Sequence, residues 1–194
     1  MADFSDIDCV LLAAGSSVRF GSNKLLHTLP NGKSLLASTL NLYSRVFANI
    51  SVVVDPQGQD LDRLCSIIKA QGAAYTYSPN ADFGLSQSLV AGVQASSPTI
   101  GWLIALADMP YLQVETLRLI AKSLQPNNIV IPKSSNGVGN PVGFGKNFAV
   151  QLSKIQGDRG AKSVVQSNEQ SLLYMLVNDL GIHHDIDTIG DIRP

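Results

Sequence analysis

The segment Val10–Lys24, VLLAAGSSVRFGSNK, limits what this chain can fold into more than any other stretch. Val10, Leu11 and Leu12 form an apolar run without polar alternation, which fits the end of a strand in a sheet covered on both faces. The chain then passes through Ala13, Ala14, Gly15, Ser16 and Ser17, whose side chains are so small that successive backbone N–H groups can close around an anion. Arg19 and Lys24 place a planar guanidinium and a mobile ammonium at the rim, a combination suited to polyphosphate. A small-residue turn after a buried strand is common in α/β proteins, so the bare pattern leaves a phosphate cradle and a plain turn both open. Two phosphate-binding patterns are excluded. Gly15 and Gly21 are too far apart for the dinucleotide G-x-G-x-x-G, and Lys24 is not placed as in G-x-x-x-x-G-K-[ST].

Beyond this segment the chain alternates between strand and helix patterns. Ser34 can cap a helix from Leu35 to about Phe47; Ile50–Val54 reads as a buried strand, Gln59–Ala70 as an amphipathic helix, and Ala73–Tyr77 as a short strand. A loop from Ser78 to Leu85 precedes a helix from Ser86 to Ala95, then the apolar strand Trp102–Ala107, a helix over Gln113–Leu124 and a strand over Ile129–Pro132. The last third is less regular: a polar loop Ser134–Gly139, a strand Val142–Gly145, helices over Phe148–Ile155 and Gly160–Gln166, a strand Leu172–Val177 and a tail from His183 to Pro194. This rhythm predicts an α/β fold with a single-domain, doubly wound, mostly parallel sheet spanning residues 1–194. Ligands of such sheets bind beyond the carboxyl ends of the strands, where the polar and glycine-rich segments of this chain fall.

Composition narrows the function classes. Fourteen basic residues against fifteen acidic ones give no electrostatic footprint for nucleic acid, so anion binding has to be local. No run approaches the roughly 18 apolar residues of a membrane helix, and MADFSDIDC lacks the basic and apolar regions of a signal peptide, which predicts a cytoplasmic protein without a membrane partner. Cys9 and Cys65 stand alone, without C-x-x-C spacing, and read as buried reduced thiols.

Several segments could carry chemistry. Asp108, in Leu106-Ala107-Asp108-Met109-Pro110, is a carboxylate at the end of an apolar strand; it reads as a turn residue or as a functional acid. Asp185 and Asp187, in D-I-D-T, point to the same side if Ile186 lies in a short strand with one face buried, although an acidic tail is more often a solvated edge. Gly84-Leu85-Ser86-Gln87-Ser88-Leu89 leads a flexible glycine into a helix N-terminus, which serves as a plain serine cap or as an anion site. Gly139-Asn140-Pro141 and Gly157-Asp158-Arg159-Gly160-Ala161 read as tight turns or as substrate-binding loops, and Asp158 can also cap the following helix. His27, His183 and His184 read as bystanders, because adjacent histidines on a strand point different ways, and Trp102 reads as core.

The pattern A-A-G-x-S-x-R-x-G-x-x-K after a strand resembles the nucleotidyltransferases of the GT-A-like nucleotide-diphosphate-transferase fold, and most of all the molybdenum cofactor cytidylyltransferases. The resemblance covers nearly the whole chain, with motifs in the expected order. It implies that Leu12, Ala13, Ala14, Gly15, Ser16, Arg19, Lys24, Gly84, Ser86, Ser88 and Asp108 bind a nucleoside triphosphate, with Arg19 and Lys24 as catalytic cations. It further implies that Asp108 and Asp187 hold Mg²⁺, and that Asn140, Pro141, Asp158 and Gly160 face the acceptor. Asn140 departs from the family's usual G-H-P, and an amide cannot exchange a proton near neutral pH as an imidazole can. The A-A-G form of the cradle resembles the cytidylyltransferases, whereas the related guanylyltransferases usually carry A-G-G. The implied activity is therefore transfer of CMP from CTP to molybdopterin or molybdenum cofactor with release of pyrophosphate, with a molybdoenzyme client or chaperone as further partner. The alternatives are a guanylyltransferase, another nucleotidyltransferase with a different phosphorylated acceptor, and a non-catalytic accessory protein that binds nucleotide or cofactor.

Overall fold

A computed structural model describes residues 4–15, 20–79, 84–157 and 160–193, so Ser16, Arg19 and Asp158 lie outside the described residues. Among these, β1 (Phe4–Leu12) lies between β2 (Phe47–Val54) and β4 (Gly101–Leu106), and β3 (Ala74–Tyr77) extends the sheet beyond β2, all four strands running parallel. Beyond β4 the direction alternates. The antiparallel β7 (Val142–Gly145) joins β4 to β5 (Ile129–Ser134), β6 (Gly137–Val138) forms a hairpin with β5, and β8 (Leu172–Leu176) pairs with β5 in parallel. The sheet is mixed but mostly parallel, as the strand–helix rhythm requires.

Alternation along the central strands sends neighbouring residues to opposite faces and so builds two cores. On one face Leu11, Val52, Val54 and Ala105 pack with α1 (Leu35–Tyr43), α2 (Leu61–Ala70) and α4 (Val114–Ser123). On the other, Val10, Leu12, Val53 and Ile104 pack with α3 (Leu85–Gln94), α5 (Ala149–Leu152) and α6 (Lys162–Gln166). The approach of α3 is close enough that a Cβ on Gly92 would stand 2.4 Å from Val10 Cγ1. Trp102 is buried on this second face and donates to Ser96 Oγ at 2.9 Å. Both cysteines are free and buried, and burial pushes the Cys9 thiol far above its ordinary value.

Several boundaries differ from the sequence reading. Helix α1 stops at Tyr43 and not near Phe47; Ser44 caps it, and Val46 and Phe47 turn into the core so that the strand expected at Ile50 begins at Phe47. This turn contains neither Gly nor Pro, so an apolar run through it gives no sign of the break. The hairpin strand β6 occupies the expected Ser134–Gly139 loop, and the helix expected over Phe148–Ile155 shrinks to Ala149–Leu152 after a 3-10 turn at Lys146–Phe148. Helix α6 begins at Lys162 instead of Gly160. Asp185-Ile186-Asp187 is not a strand: the segment runs outside the sheet, with Ile186 fully buried and its N–H donated to the carbonyl of Asp108 at 3.0 Å.

Candidate active site

The carboxyl ends of β1 and β4 lie side by side, held by the Ala107 N–H, which donates to the Leu12 carbonyl at 3.1 Å. Leu12 and Ala13 are buried, and Ala14 and Gly15 rise toward the surface. Ala13 N–H donates to Val53 O at 2.9 Å, which ties the start of the loop to β2 as well. The loop residues Ala13, Ala14 and Gly15 line a cleft of about 430 Å³, closed on its other sides by Gly21, Ser22, Asn23, Asp55 and the turn Gln57–Gln59. Asn23 braces this wall, because its side-chain amide donates to the Gln59 carbonyl at 3.1 Å.

Lys24 opens a 3-10 turn, Lys24–Leu26, whose N-cap Asn23 accepts from the Leu25 N–H at 3.3 Å. This fixes the backbone from which the lysine stem reaches the strand ends. Its Nζ lies 2.7 Å from Asp108 Oδ2 and 3.0 Å from Asp187 Oδ1. The side chains of Lys24, Asp108 and Asp187 keep only 13%, 17% and 26% of their exposure, so these charges interact in a partly desolvated setting where they are weakly screened. Burial depresses the proton affinity of Lys24, but hydrogen bonds and charge from Asp108, then Asp187, more than reverse this, and the ammonium is held above its ordinary value. For Asp108 burial dominates and pushes the carboxyl above the usual range, against the pull of Lys24. The second oxygen of Asp108, Oδ1, is buried and has no hydrogen-bond partner among the described residues.

The tail delivers Asp187 through contacts that no local motif announces. Asp179, 2% exposed, accepts from Gln113 N–H at 2.8 Å, from Thr116 Oγ1 at 2.7 Å and from Gly181 N–H at 2.8 Å, pinning the tail to the start of α4. Ile182 O accepts from Asn140 N–H at 2.9 Å, and Ile186 bonds to Asp108 as described. Asp191 Oδ2 then accepts from the N–H groups of Asp187 at 3.1 Å and Thr188 at 2.7 Å, and from the Thr188 hydroxyl at 2.8 Å. Those bonds, the threonine hydroxyl's first, hold the Asp191 carboxyl below its ordinary value. The T-x-x-D spacing of this capping box is readable in sequence; Asp179 carries no comparable signal. Asp185, which the D-I-D-T alternation sets on the same side as Asp187, is exposed.

The other candidates are divided between two places. Gly84 adopts a positive φ of 99° as the N-cap of α3, while Ser86 and Ser88 are buried. Ser88 Oγ pairs with Ser78 Oγ at 3.4 Å, and Ser86 Oγ has no partner among the described residues. Asn140 and Gly160 share a largely apolar cavity of about 230 Å³ with Leu12, Leu85, Leu89 and Phe144, and Pro141 is buried next to Asn140. The histidines take structural contacts. His27 packs edge-on against Phe20, His183 Nε2 bonds Ser134 Oγ at 2.8 Å, and His184 bonds the Asp191 carbonyl at 2.7 Å. No group of three or more His, Cys, Asp or Glu suited to a metal occurs among the described residues.

Comparison with solved structures places this architecture among known folds. A Mycobacterium sp. strain JC1 homologue of Mycobacterium tuberculosis rv0371c aligns with a TM-score of 0.82 at 24% identity, covering 97% of this chain and 94% of that one. Rv0371C of M. tuberculosis H37Rv in complex with manganese gives 0.75 at 23% identity, with 95% of each chain covered. The 4-diphosphocytidyl-2C-methyl-D-erythritol synthase of Anaerococcus prevotii DSM 20548 gives 0.73 at 18% identity, over 97% and 93%. At these identities the likeness is one of fold. No curated protein matches the chain. The family model of the MobA-like NTP transferase domain matches residues 9–172, from β1 to the first residue of β8, and on that match the chain belongs to the MobA-like NTP transferase family of nucleotidyltransferases.

Proposed function

We propose that this nucleotidyltransferase transfers CMP from CTP to the phosphate of molybdopterin or molybdenum cofactor. The observation that carries the reading is the convergence of Lys24, Asp108 and Asp187 at the ends of β1 and β4, beside the small-residue loop Ala13–Gly15. An ammonium and two carboxylates at one point match the needs of a reaction that builds negative charge on a pentavalent phosphorus and on departing pyrophosphate. The A-A-G form of the loop favours CTP, and the G-N-P and G-D-R-G-A segments favour the acceptor.

In the proposed reaction an oxygen of the acceptor phosphate attacks the α-phosphorus of CTP in line. The new P–O bond forms as the bond from the α-phosphorus to the bridging oxygen breaks, and pyrophosphate carries away the electron pair. No protein nucleophile takes part. The loop N–H groups and Arg19 hold the β- and γ-phosphates, and Lys24 moves its charge toward the α-phosphate. Gly84 lets the chain enter α3 beside the nucleotide, and Ser86 and Ser88, both buried, serve the nucleotide site from the start of that helix. Asn140, Pro141, Asp158 and Gly160 position the acceptor, with Asn140 acting as a hydrogen-bonding group and not as a proton carrier. Asp108 and Asp187 suit Mg²⁺, since both are hard oxygen donors and Asp108 keeps a buried oxygen without a hydrogen-bond partner among the described residues. Mg²⁺ would supply charge neutralisation at the phosphates. Within one domain spanning 1–194, this reading places the enzyme in the cytoplasm, acting for a molybdoenzyme client; no helix among the described residues is long and apolar enough to cross a membrane.

The test is Mg²⁺-dependent pyrophosphate release from CTP, GTP, ATP and UTP with molybdopterin as acceptor. Release with CTP alone, lost in Lys24→Ala and Asp108→Ala, is the expected result. Release with GTP overturns the base assignment, and tight nucleotide binding without release with any acceptor overturns the catalytic reading in favour of an accessory protein.

A further inference from the structure

We infer that Lys24 is a displaceable counter-ion of the metal site: before substrate arrives its ammonium occupies the position between Asp108 and Asp187, and it must leave for a divalent cation to bind there. The inference rests on the metal role proposed for these two acids and concerns what Lys24 does at their site. Asp108 Oδ2 and Asp187 Oδ1 both lie within 3.0 Å of Nζ, so the ammonium occupies the space between the two acids that would hold a cation. A second cation on the same oxygens would be a close neighbour of the ammonium in a partly desolvated site, and the two positive charges would repel strongly.

The backbone supports a side chain that moves without refolding. Lys24 lies in a short turn fixed by Asn23, and the tail is held by Asp179, Ile186 and Asp191, none of which depends on Lys24. The tail therefore keeps anchors of its own when the lysine side chain moves. Two carboxylates this close repel each other and oppose burial, and the ammonium between them offsets that repulsion. Once nucleotide is bound, its phosphates offer the ammonium a new anionic seat, so metal and nucleotide bind synergistically. Lys24 then couples them, and it reaches the α-phosphate only when the metal has taken its place.

The experiment measures Mn²⁺ binding to the whole chain by electron paramagnetic resonance, without nucleotide, for the wild type and for Lys24→Met. The expected result is at least tenfold tighter binding in the variant, abolished again in the Lys24→Met/Asp108→Asn double variant. Equal or weaker binding in Lys24→Met overturns the inference and leaves the metal role of the acids standing. Absence of Mn²⁺ binding in both proteins, even with the non-hydrolysable analogue α,β-methylene-CTP, overturns the metal role and the inference with it. A second readout uses the wild type alone: acetic anhydride labelling of Lys24, followed by mass spectrometry, should rise severalfold on adding Mg²⁺. Unchanged labelling at Mg²⁺ concentrations that saturate the site overturns the displacement.

Discussion

Replacing Asp179 by Ala tests how the tail is anchored. The carboxylate is 2% exposed and accepts three hydrogen bonds of 2.7–2.8 Å, two of them from the backbone N–H groups of Gln113, at the start of α4, and Gly181. Hydrogen bonds to a charged group contribute about 1.5–3 kcal/mol each, while removing the carboxylate also removes a burial cost of several kcal/mol. The difference leaves a net loss of about 3 kcal/mol. For a chain of this size each kcal/mol moves the melting midpoint by about 2–4 °C, so the midpoint should fall by about 6–12 °C. Urea unfolding followed by circular dichroism gives the free energy, and thermal melting gives the midpoint. Asp179→Asn, which keeps one acceptor oxygen, should lose about 2 kcal/mol. Because Ile186 still ties the tail to Asp108, pyrophosphate release measured well below the melting midpoint should stay within about tenfold of wild type. A loss under about 1 kcal/mol in Asp179→Ala would refute the reasoning, since it would mean that the three bonds do not hold the tail.

Ile186→Ala empties a fully buried site next to Asp187 and should cost about 2–4 kcal/mol in urea unfolding, with a fall in pyrophosphate release at temperatures where the variant is folded. Asp108→Asn removes the closer partner of Lys24 and should lower kcat/KM about 100-fold or more in the same assay. Gly181→Ala places a Cβ 2.4 Å from the Tyr111 carbonyl, so soluble yield and melting midpoint should drop sharply, whereas Gly32→Ala, with open space but a φ of +77°, should cost only about 1 kcal/mol. Asp191 has its carboxyl held below the ordinary 3.8, so its contribution to stability is present above that pH and disappears as pH falls through the lower folded value. The stability gap between wild type and Asp191→Asn should therefore be present at neutral pH and narrow as pH falls below about 4 in urea titrations; a gap that widens on acidification would refute the assignment.

What the sequence determined by itself was local. The apolar end of β1, the small residues that follow it, the Ser34 cap and the apolar faces of α2 and α4 follow from residue order, because strand alternation, helical periodicity and capping act over a few residues. The break after Tyr43 was not legible, since Leu42, Tyr43, Val46 and Phe47 are apolar on either side of a turn that only packing selects. The resemblance implied two metal acids, and two acids do lie at one point, but periodicity alone would have left Asp185 and Asp187 equivalent. The tertiary structure separates them: Ile186 is drawn into the core and bonded to Asp108, which leaves Asp185 exposed and brings Asp187 to Lys24 across 163 positions of chain. It also decides that Ser86 and Ser88 are buried and that Asp179 anchors the tail. Each of these depends on which strands become neighbours and where the tail folds back, long-range choices set by the burial of whole faces and the satisfaction of buried polar groups, and no short stretch of sequence contains them.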